Sequence, residues 1–310
     1  MTESNAALLR LLETLKRRGY RFVTPTPATH ARVVARGDRG EARDLADILG
    51  WSLPFAPSIL DAELFGLLEA GDALEAVGDG LCRSRLRVSS LKDDLYLHSA
   101  YPTEAEDSVF FGPDSYRFAD LIAAELDAAR PAGATIVDIG TGAGVGALVA
   151  ARRCPDAAVW MTDVNPAALR LAAINAEAAG VSIREVESAT LDPVSGPIDL
   201  ALANPPYIID DDARTYRDGG GMFGGQVSVD MACMAVRRLT AGGRLILYTG
   251  SAVVRGDDLV GKALADLAQA EDCSLRYREL DPDVFGEELE RPAYAEVDRI
   301  AVVAAILTKR

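Results

Sequence analysis

The second part of the chain alternates between two hydrophobic periods. Short apolar runs typical of buried strands are followed by glycine-rich or polar turns, and then by stretches with apolar residues every three or four positions. The runs predict seven strands: Thr135–Ile139, Ala158–Met161, Ser182–Val186, Ile198–Ala203, Arg244–Thr249, Ser274–Glu279 and Ile300–Leu307. The longer period predicts helices between them: Ala143–Cys154, Pro166–Ala179, Gln226–Leu239 and Leu259–Ala270. Because strands and helices alternate, we predict an α/β fold with a doubly wound, seven-stranded, mainly parallel sheet.

The first part of the chain has a different pattern. Helical spacing predicts three helices, Ala6–Arg18, Glu41–Leu49 and Asp61–Glu69, with a break at Thr24–Pro27. Alternating residues then predict one hairpin, with strands Cys82–Val88 and Leu95–His98. We predict a smaller N-terminal α+β domain, winged-helix-like, at residues 1–107, which serves substrate recognition or dimerisation. Pro102–Pro113 is linker-like, and residues 108–310 form the second domain, with a long acidic insertion at Asp281–Asp298.

Charge and composition narrow the possible partners. The formal net charge is −15, and residues 108–310 carry 19 Lys/Arg against 30 Asp/Glu, so this domain repels phosphate backbones at long range. Residues 1–60 carry 9 Lys/Arg against 6 Asp/Glu and could offer a basic patch. Arg83, Arg85 and Arg87 would share one strand face, which we interpret as solvated rather than as a contact for nucleic acid or an acidic partner.

Metal, disulfide and membrane chemistry are not indicated. The two histidines, His30 and His98, lie far from the glycine-rich region, and the four cysteines form no C-x-x-C pair, so we expect no metal site. Apolar runs stay below the roughly 18 residues that span a bilayer, and the N-terminus lacks the pattern of a signal peptide. We therefore expect a cytoplasmic protein without membrane association; its oligomeric state is open.

A glycine-rich loop joins the first predicted strand to the first helix of the sheet domain. It reads Asp138-Ile-Gly-Thr-Gly-Ala-Gly-Val-Gly146, and its glycines allow a ligand to approach the backbone. Asp163 ends the next strand, where its carboxylate can accept hydrogen bonds from both hydroxyls of a ribose. Gly142–Ala147 also fits the G-x-G-x-x-A pattern of NAD sites, but Asp138 would repel a pyrophosphate. A carboxylate there suits the cationic amino-acid group of S-adenosylmethionine (SAM).

The tetrapeptide Asn204-Pro205-Pro206-Tyr207 follows a strand predicted to be buried, so it lies at the sheet edge where ligands bind. Two prolines stiffen the turn. The Asn204 side chain and the Pro205 carbonyl can accept both N–H bonds of a planar NH2 group, and the Tyr207 ring can stack on its flat face. Such a grip aims the nitrogen lone pair at an electrophilic methyl.

These two motifs resemble those of class I SAM-dependent methyltransferases of the Asn-Pro-Pro-Tyr type, whose fold is Rossmann-like. The segment Leu191–Ile208 is most similar to release-factor glutamine N5-methyltransferases and the methyltransferase small-domain family. The resemblance covers residues 134–250. It departs at Ala189, where those enzymes carry an adenine-binding Asp, and at Gly112–Tyr116, which replaces their Arg-Pro-Glu-Thr-Glu.

The resemblance implies a site. The residues assigned to cofactor binding are Asp138, Gly140, Thr141, Gly142, Gly144, Asp163, Val164, Ala189 and Asn204. The residues assigned to catalysis are Asn204, Pro205, Pro206 and Tyr207.

Three functions fit these motifs. The first is methylation of a glutamine-type amide in a protein, which the acidic residues Asp210–Asp212 beside the motif favour because they suit a basic or neutral peptide. The second is adenine-N6 methylation of RNA or DNA, since adenine also presents a planar NH2. The third is a catalytically idle SAM-binding or interaction module. We expect a protein substrate rather than nucleic acid.

Overall fold

The computed structural model describes residues 2–210, 214 and 216–310. Its first part contains four helices, α1 (Glu3–Arg17), α2 (Pro27–Val34), α3 (Leu45–Leu49) and α4 (Ala62–Ala70). Four strands follow, β1 (Leu74–Gly78), β2 (Leu81–Ser84), β3 (Leu86–Leu91) and β4 (Asp94–Ser99).

Three features of this part differ from the prediction. The helix predicted at Glu41–Leu49 begins only at Leu45, where Asp44 caps it. The residues predicted as one strand, Cys82–Val88, are divided at Arg85, so that β2 pairs with β1 and β3 pairs with β4 in separate hairpins. The helix α2 was not predicted, because its prolines indicated a break. Pro27 instead occupies the first helical turn, where no amide donor is needed, and Thr26 caps it by accepting a hydrogen bond from the Thr29 amide at 3.2 Å.

The second part begins with α5 (Pro113–Ala128) and contains the predicted sheet. Its strands are β5 (Thr135–Ile139), β6 (Ala158–Asp163), β7 (Arg184–Glu187), β8 (Ile198–Ala203), β9 (Leu239–Val254), β10 (Asp257–Asp258), β11 (Cys273–Asp281) and β12 (Arg299–Lys309). Its further helices are α6 (Val145–Arg153), α7 (Pro166–Ala178), α8 (Gln226–Val236) and α9 (Leu259–Ala270). Short 3₁₀ turns lie at Met222–Gly224, Gly286–Glu290 and Pro292–Tyr294.

The sheet has the strand order β7-β6-β5-β8-β9-β12-β11, with the short β10 added to β9. The strands from β7 to β9 are parallel neighbours, whereas β12 runs antiparallel to both β9 and β11. This confirms the predicted mainly parallel, seven-stranded sheet. The chain reverses its direction of winding between β5 and β8, and the carboxyl ends of these two strands are therefore the expected ligand edge.

The strand β9 is longer than predicted. It begins at Leu239 rather than at the predicted Arg244, so Gly242 and Gly243 lie within the strand. The pairing with β8 shifts there, from Ile198 opposite Leu239 to Leu200 opposite Arg244, so the extra residues form a bulge. The left-handed backbone of Gly242, with φ of +77°, provides the bend.

The two parts of the chain share one continuous apolar core. Helix α1 buries Leu8, Leu11 and Leu15 on one face. The fully buried Asn175 of α7 links the parts, because its side chain accepts from the Leu97 amide at 2.8 Å and donates to the Leu97 carbonyl at 3.1 Å. The domain boundary expected near residue 107 stays a prediction, but the two parts are packed firmly against each other.

Candidate active site

The glycine loop between β5 and α6 bends where predicted. Gly140, Gly142 and Gly144 have φ values of +64°, +54° and +86°, which side-chain-bearing residues rarely adopt. A Cβ atom on Gly142 would meet no protein atom within 4 Å, so the loop backbone faces open space there. The Thr141 amide donates to the Thr162 carbonyl at 3.0 Å and ties the loop to β6. The loop is therefore an open cradle for a ligand.

The buried carboxylate of Asp138 braces this loop through hydrogen bonds. This carboxylate is 2% exposed and accepts hydrogen bonds from the Thr141 hydroxyl at 2.6 Å and from the Ala147 amide at 2.9 Å. Burial raises its pKa to about 7 despite these bonds. A Cβ on Gly146 would lie 2.5 Å from its Oδ1 atom, which explains a glycine at that position. Asp138 also lines the cavity described below, where a ligand ammonium would favour its ionised form.

Asp163 stands at the carboxyl end of β6, as predicted. Its two oxygens accept from the Gly142 and Asn165 amides, each at 2.9 Å, and a carboxylate retains further lone pairs for ribose hydroxyls. Burial raises its pKa. The apolar side chain of the neighbouring Val164 is 46% exposed, which is unusual for a valine. Val164, Ser188 and Ala189 line the same wall of the cavity. These residues offer an apolar surface for a flat ring.

Asn204 lies just beyond β8 in the wall of the same cavity. Among residues 2–210, 214 and 216–310, none forms a hydrogen bond with its side-chain amide. Pro205 after it is buried, and Pro206 is half-buried. The structure thus presents a stiff corner with a free amide group facing the cavity.

Tyr207 is more enclosed than predicted. It is 8% exposed, and its ring lies so close to β9 that a Cβ on Gly250 would be 2.1 Å from its Cδ2 atom. Its hydroxyl oxygen is buried and outside hydrogen-bonding geometry with every described residue. Burial, together with the nearby Asp114 carboxylate, raises its pKa well above the ordinary value. Little of the ring is therefore available for the stacking role predicted for it.

Asp114 lies beneath Tyr207 at the start of α5 and also lines the cavity. Its carboxylate is buried and accepts a hydrogen bond from the Tyr248 hydroxyl at 2.8 Å. Burial raises its pKa. In the sequence, Asp114 is only part of the segment that departs from the Arg-Pro-Glu-Thr-Glu motif, so its position beside Tyr207 was not predicted.

The first acidic residue after the motif is not exposed for contact with a substrate. Asp210 is buried, and its carboxylate pairs with Arg214 through an Nε to Oδ2 distance of 2.7 Å. Asp210 can be buried because neighbouring arginines neutralise its charge. Arg217 also takes part, with its Nε atom 3.3 Å from Asp210 Oδ1. Asp211 and Asp212 lie outside the described residues.

A glycine-rich turn holds the segment that follows Tyr207. The Gly219 amide donates to the Ile208 carbonyl at 2.8 Å, and a Cβ on Gly219 would lie 2.8 Å from the Tyr207 Cα atom. Only a residue without a side chain allows this approach. Tyr216 and Asp218 of the same loop line the cavity.

The acidic insertion also reaches the site, which sequence reasoning missed. We call residues 282–298 the wall segment. Its Phe285 lines the cavity and packs edge-on against Tyr207, with ring centroids 5.8 Å apart. The Tyr294 hydroxyl accepts from the Ile209 amide at 2.7 Å, and Arg291 donates to the Ile209 carbonyl at 2.6 Å. No hydrophobic period in the sequence indicates these residues, because contacts between segments that are distant in the chain bring them to the site.

Together these groups line one cavity of about 550 Å³, which we call the cleft. Its lining includes the glycine loop, Asn204 and Phe285, together with Pro27 of α2 and Phe110 of the linker. The volume lies within the range of small-molecule sites. The predicted cofactor-binding and catalytic residues are twelve in number, because Asn204 was assigned to both groups. Eleven of them line the cleft, and Gly144, the N-cap of α6, does not.

The remaining candidate residues lie elsewhere. Arg83 and Arg85 are partly exposed beside Glu75 and Asp72, at 3.8 Å each, which fits the solvated face. Arg87 does not share it, because it is 3% exposed and donates to the Ser99 carbonyl at 3.1 Å. His30 and His98 are buried in the first part of the chain.

Comparisons with known proteins agree with this geometry. Residues 114–254 match the family model of the methyltransferase small domain. A release factor glutamine methyltransferase from Chlorobaculum tepidum is 36% identical over 181 residues, covering 52% of this chain and 59% of that protein. The corresponding protein from Deinococcus radiodurans is 34% identical over 122 residues, covering 36% and 44%. The chain thus spans about half the length of these relatives.

Among solved structures, Trm5b from Pyrococcus abyssi has a TM-score of 0.51 at 12% sequence identity, over 80% of this chain and 68% of that one. This likeness concerns the fold alone. In the part of the chain that the structure describes, no helix has both the length and the apolar character to cross a bilayer.

The sheet order and the cleft define a class I methyltransferase fold. Within that class, residues 114–254 match the methyltransferase small domain, and the chain is similar to release factor glutamine methyltransferases over about half of their length. S-adenosyl-L-methionine is the cofactor that corresponds to this family. The cleft fits it, because the cradle at Gly142 is open and Val164 presents uncovered apolar surface beside Asp163.

Proposed function

We propose that the protein is a SAM-dependent N-methyltransferase that acts on the side-chain amide of a glutamine in a protein substrate. The observation that carries this proposal is the free amide group of Asn204, which faces the same cleft as the open glycine loop. Asn204 is half-buried, so its amide is accessible from the cleft and is available to bind the NH2 group of a substrate.

The residues of the chain have distinct tasks in this reaction. SAM supplies an electrophilic methyl group when it is bound. Asp138 and Asp163 would hold its ammonium and ribose groups, and Val164 and Ala189 would contact its adenine ring. Asn204 Oδ1 and the Pro205 carbonyl would accept both N–H bonds of the acceptor and favour a pyramidal nitrogen as the new bond forms.

Charge supports a protein acceptor. Asp218 and Asp230 line the cleft, and exposed carboxylates lie on the wall segment at Asp283, Glu287 and Glu290. Such surroundings repel a phosphate backbone and attract a basic or neutral peptide. The matched relatives bear the name release factor glutamine methyltransferase, which agrees with an amide acceptor.

The first part of the chain would help to recognise the acceptor. Pro27 lines the cleft, and the Tyr216 hydroxyl donates to the Thr103 carbonyl at 2.5 Å, which connects the cleft loop to the linker. Of the two roles expected for residues 1–107, substrate recognition is therefore the one we propose.

The test begins with labelled SAM and a cell extract. Label should enter protein and appear as N5-methylglutamine after digestion. Label in RNA or DNA instead would show an adenine-type acceptor and overturn the protein substrate, whereas SAM binding without any transfer would indicate an idle module.

Asn204→Ala tests the site itself. We expect turnover to fall by about 10²- to 10³-fold, as for the loss of one transition-state hydrogen bond, while calorimetry finds SAM binding unchanged. Asn5→Ala is the matched control, since it removes an amide from α1 that does not line the cleft, and it should keep full activity. An active Asn204→Ala enzyme would contradict the proposed mechanism.

A further inference from the structure

The Tyr207 ring has almost no free surface at the acceptor end of the cleft. A base that stacks on an aromatic ring covers a whole ring face, yet Tyr207 is only 8% exposed. Two neighbours enclose it. One is the backbone of Gly250 in β9, and the other is the Phe285 side chain, whose ring meets Tyr207 at an angle of 66°.

The spacing of the two rings leaves no slot between them. Their centroids are 5.8 Å apart in an edge-to-face arrangement, so the rings already touch. A flat base inserted between two rings needs about twice the van der Waals stacking distance of roughly 3.5 Å, which is about 7 Å. The Phe285 ring would have to leave its position before a base could stack on Tyr207.

The backbone that carries the Phe285 ring is held by hydrogen bonds on both sides of this residue. The Val284 amide donates to the Ile300 carbonyl at 2.8 Å, and the Glu288 amide donates to the Phe285 carbonyl at 2.8 Å. Glu288 pairs with Arg217 at 2.7 Å. Phe285 itself has a left-handed backbone, with φ of +56°, which costs energy in a residue with a side chain and persists only when its surroundings impose it.

We propose that Phe285 sets the specificity of the acceptor site by blocking the Tyr207 ring against flat bases and leaving room only for a narrow amide. An amide side chain needs hydrogen bonds in its own plane, which Asn204 offers, and it needs no aromatic platform. This inference rests on the proposed function, because it states why an amide would be preferred to adenine. Phe285 lies outside residues 114–254, so this property belongs to the chain rather than to the matched family segment.

Phe285→Ala is the decisive variant, and its test uses binding of a free base. The protein is first saturated with S-adenosylhomocysteine, so that an adenine probe cannot occupy the cofactor site. 9-Methyladenine is then titrated and followed by saturation-transfer NMR. We expect no saturable binding to the wild type and at least tenfold tighter binding to Phe285→Ala. Equal binding to both proteins would overturn the proposal.

Turnover gives a second measurement. With a glutamine-containing peptide, Phe285→Ala should raise KM about tenfold and leave the SAM dissociation constant within twofold, because Phe285 lies at the acceptor end. An unchanged KM would contradict the role of Phe285. If the wild type methylates no peptide, the proposed function fails, while the base titration still decides whether Phe285 blocks the ring.

Two further variants control for folding. Phe223→Ala removes a ring that packs near Tyr294, in the same apolar cluster, but does not line the cleft, so it should bind no base. Phe285→Leu keeps apolar bulk against the cluster and removes the ring. Phe285→Leu should bind 9-methyladenine with an affinity between those of the wild type and Phe285→Ala. If Phe223→Ala binds the base as tightly as Phe285→Ala, binding results from loosening of the wall segment and not from loss of the Phe285 ring.

Discussion

Gly250→Ala is expected to disable the site by displacing Tyr207. The added Cβ would lie 2.1 Å from Tyr207 Cδ2, whereas carbon atoms in contact are about 3.5–4.0 Å apart. The ring or the strand must therefore shift by about 1.4 Å at the least. Gly250 lies inside β9, where pairing with β12 holds the backbone. The ring, rather than the strand, should therefore move.

The size of the effect follows from that displacement. Overpacking of this kind costs about 1–3 kcal/mol of unfolding free energy. A shift of about 1 Å in a positioned group lowers turnover by roughly 10²-fold, which corresponds to about 2.7 kcal/mol of activation free energy. The glycine loop follows β5, which is separated from β9 by β8, so SAM affinity should stay within about twofold.

Three measurements check this prediction: urea unfolding, methyl transfer from labelled SAM, and calorimetry with SAM. Gly66→Ala in α4 is the control, because a Cβ there meets no atom within 4 Å, and this helical substitution should stabilise the protein by about 0.5–1 kcal/mol. The cause is tested by Tyr207→Ala, which should cost less stability in the Gly250→Ala background than in the wild type. Full turnover in Gly250→Ala, or strict additivity, would refute the reasoning.

Three other predictions follow from the buried groups. The pKa of Asp138 is about 7, and a ligand ammonium favours its ionised form, so SAM affinity should fall about tenfold from pH 8 to pH 6. Calorimetry in two buffers should detect release of a proton on binding. A SAM affinity that does not change with pH would contradict this contact. Burial, reinforced by the Arg87 charge, lowers the pKa of His30 to about 4, so its contribution to stability is present above pH 6.5 and is lost as the pH falls towards 4. Urea unfolding at pH 7 and pH 5 should differ by about 2 kcal/mol more in the wild type than in His30→Gln, and equal differences would exclude His30 as the cause. Gly146→Ala should weaken SAM binding at least tenfold, because its Cβ would collide with the Asp138 carboxylate that braces the loop; unchanged calorimetry would show that the brace is dispensable.

The sheet could be predicted because its signals are local. Ile198–Ala203 is an unbroken apolar run and is β8 residue for residue, and Leu259–Ala270 is α9 with the predicted bounds. Errors occurred where one residue type has two uses. Pro27 can end a helix or begin one, and Gly242 can make a turn or a bulge within a strand. Only the neighbouring strands and caps select between these outcomes.

The site divides in the same way. The chain order alone places Asp138, Asp163 and Asn204 along one edge of the sheet, because each lies close to or just beyond the carboxyl end of a parallel strand. By contrast, Asp114 and Phe285 approach Tyr207 from positions 93 and 78 residues away along the chain, and no spacing rule links them.

The sequence by itself therefore determined the sheet, the glycine cradle and the amide at Asn204, since strand period and turn chemistry act over a few residues. The tertiary structure alone decided that Tyr207 is enclosed, that Asp210 is neutralised by arginines and that the acidic insertion forms a wall of the cleft. Those outcomes depend on packing and charge pairing between segments whose separation in the chain carries no information about their distance in space.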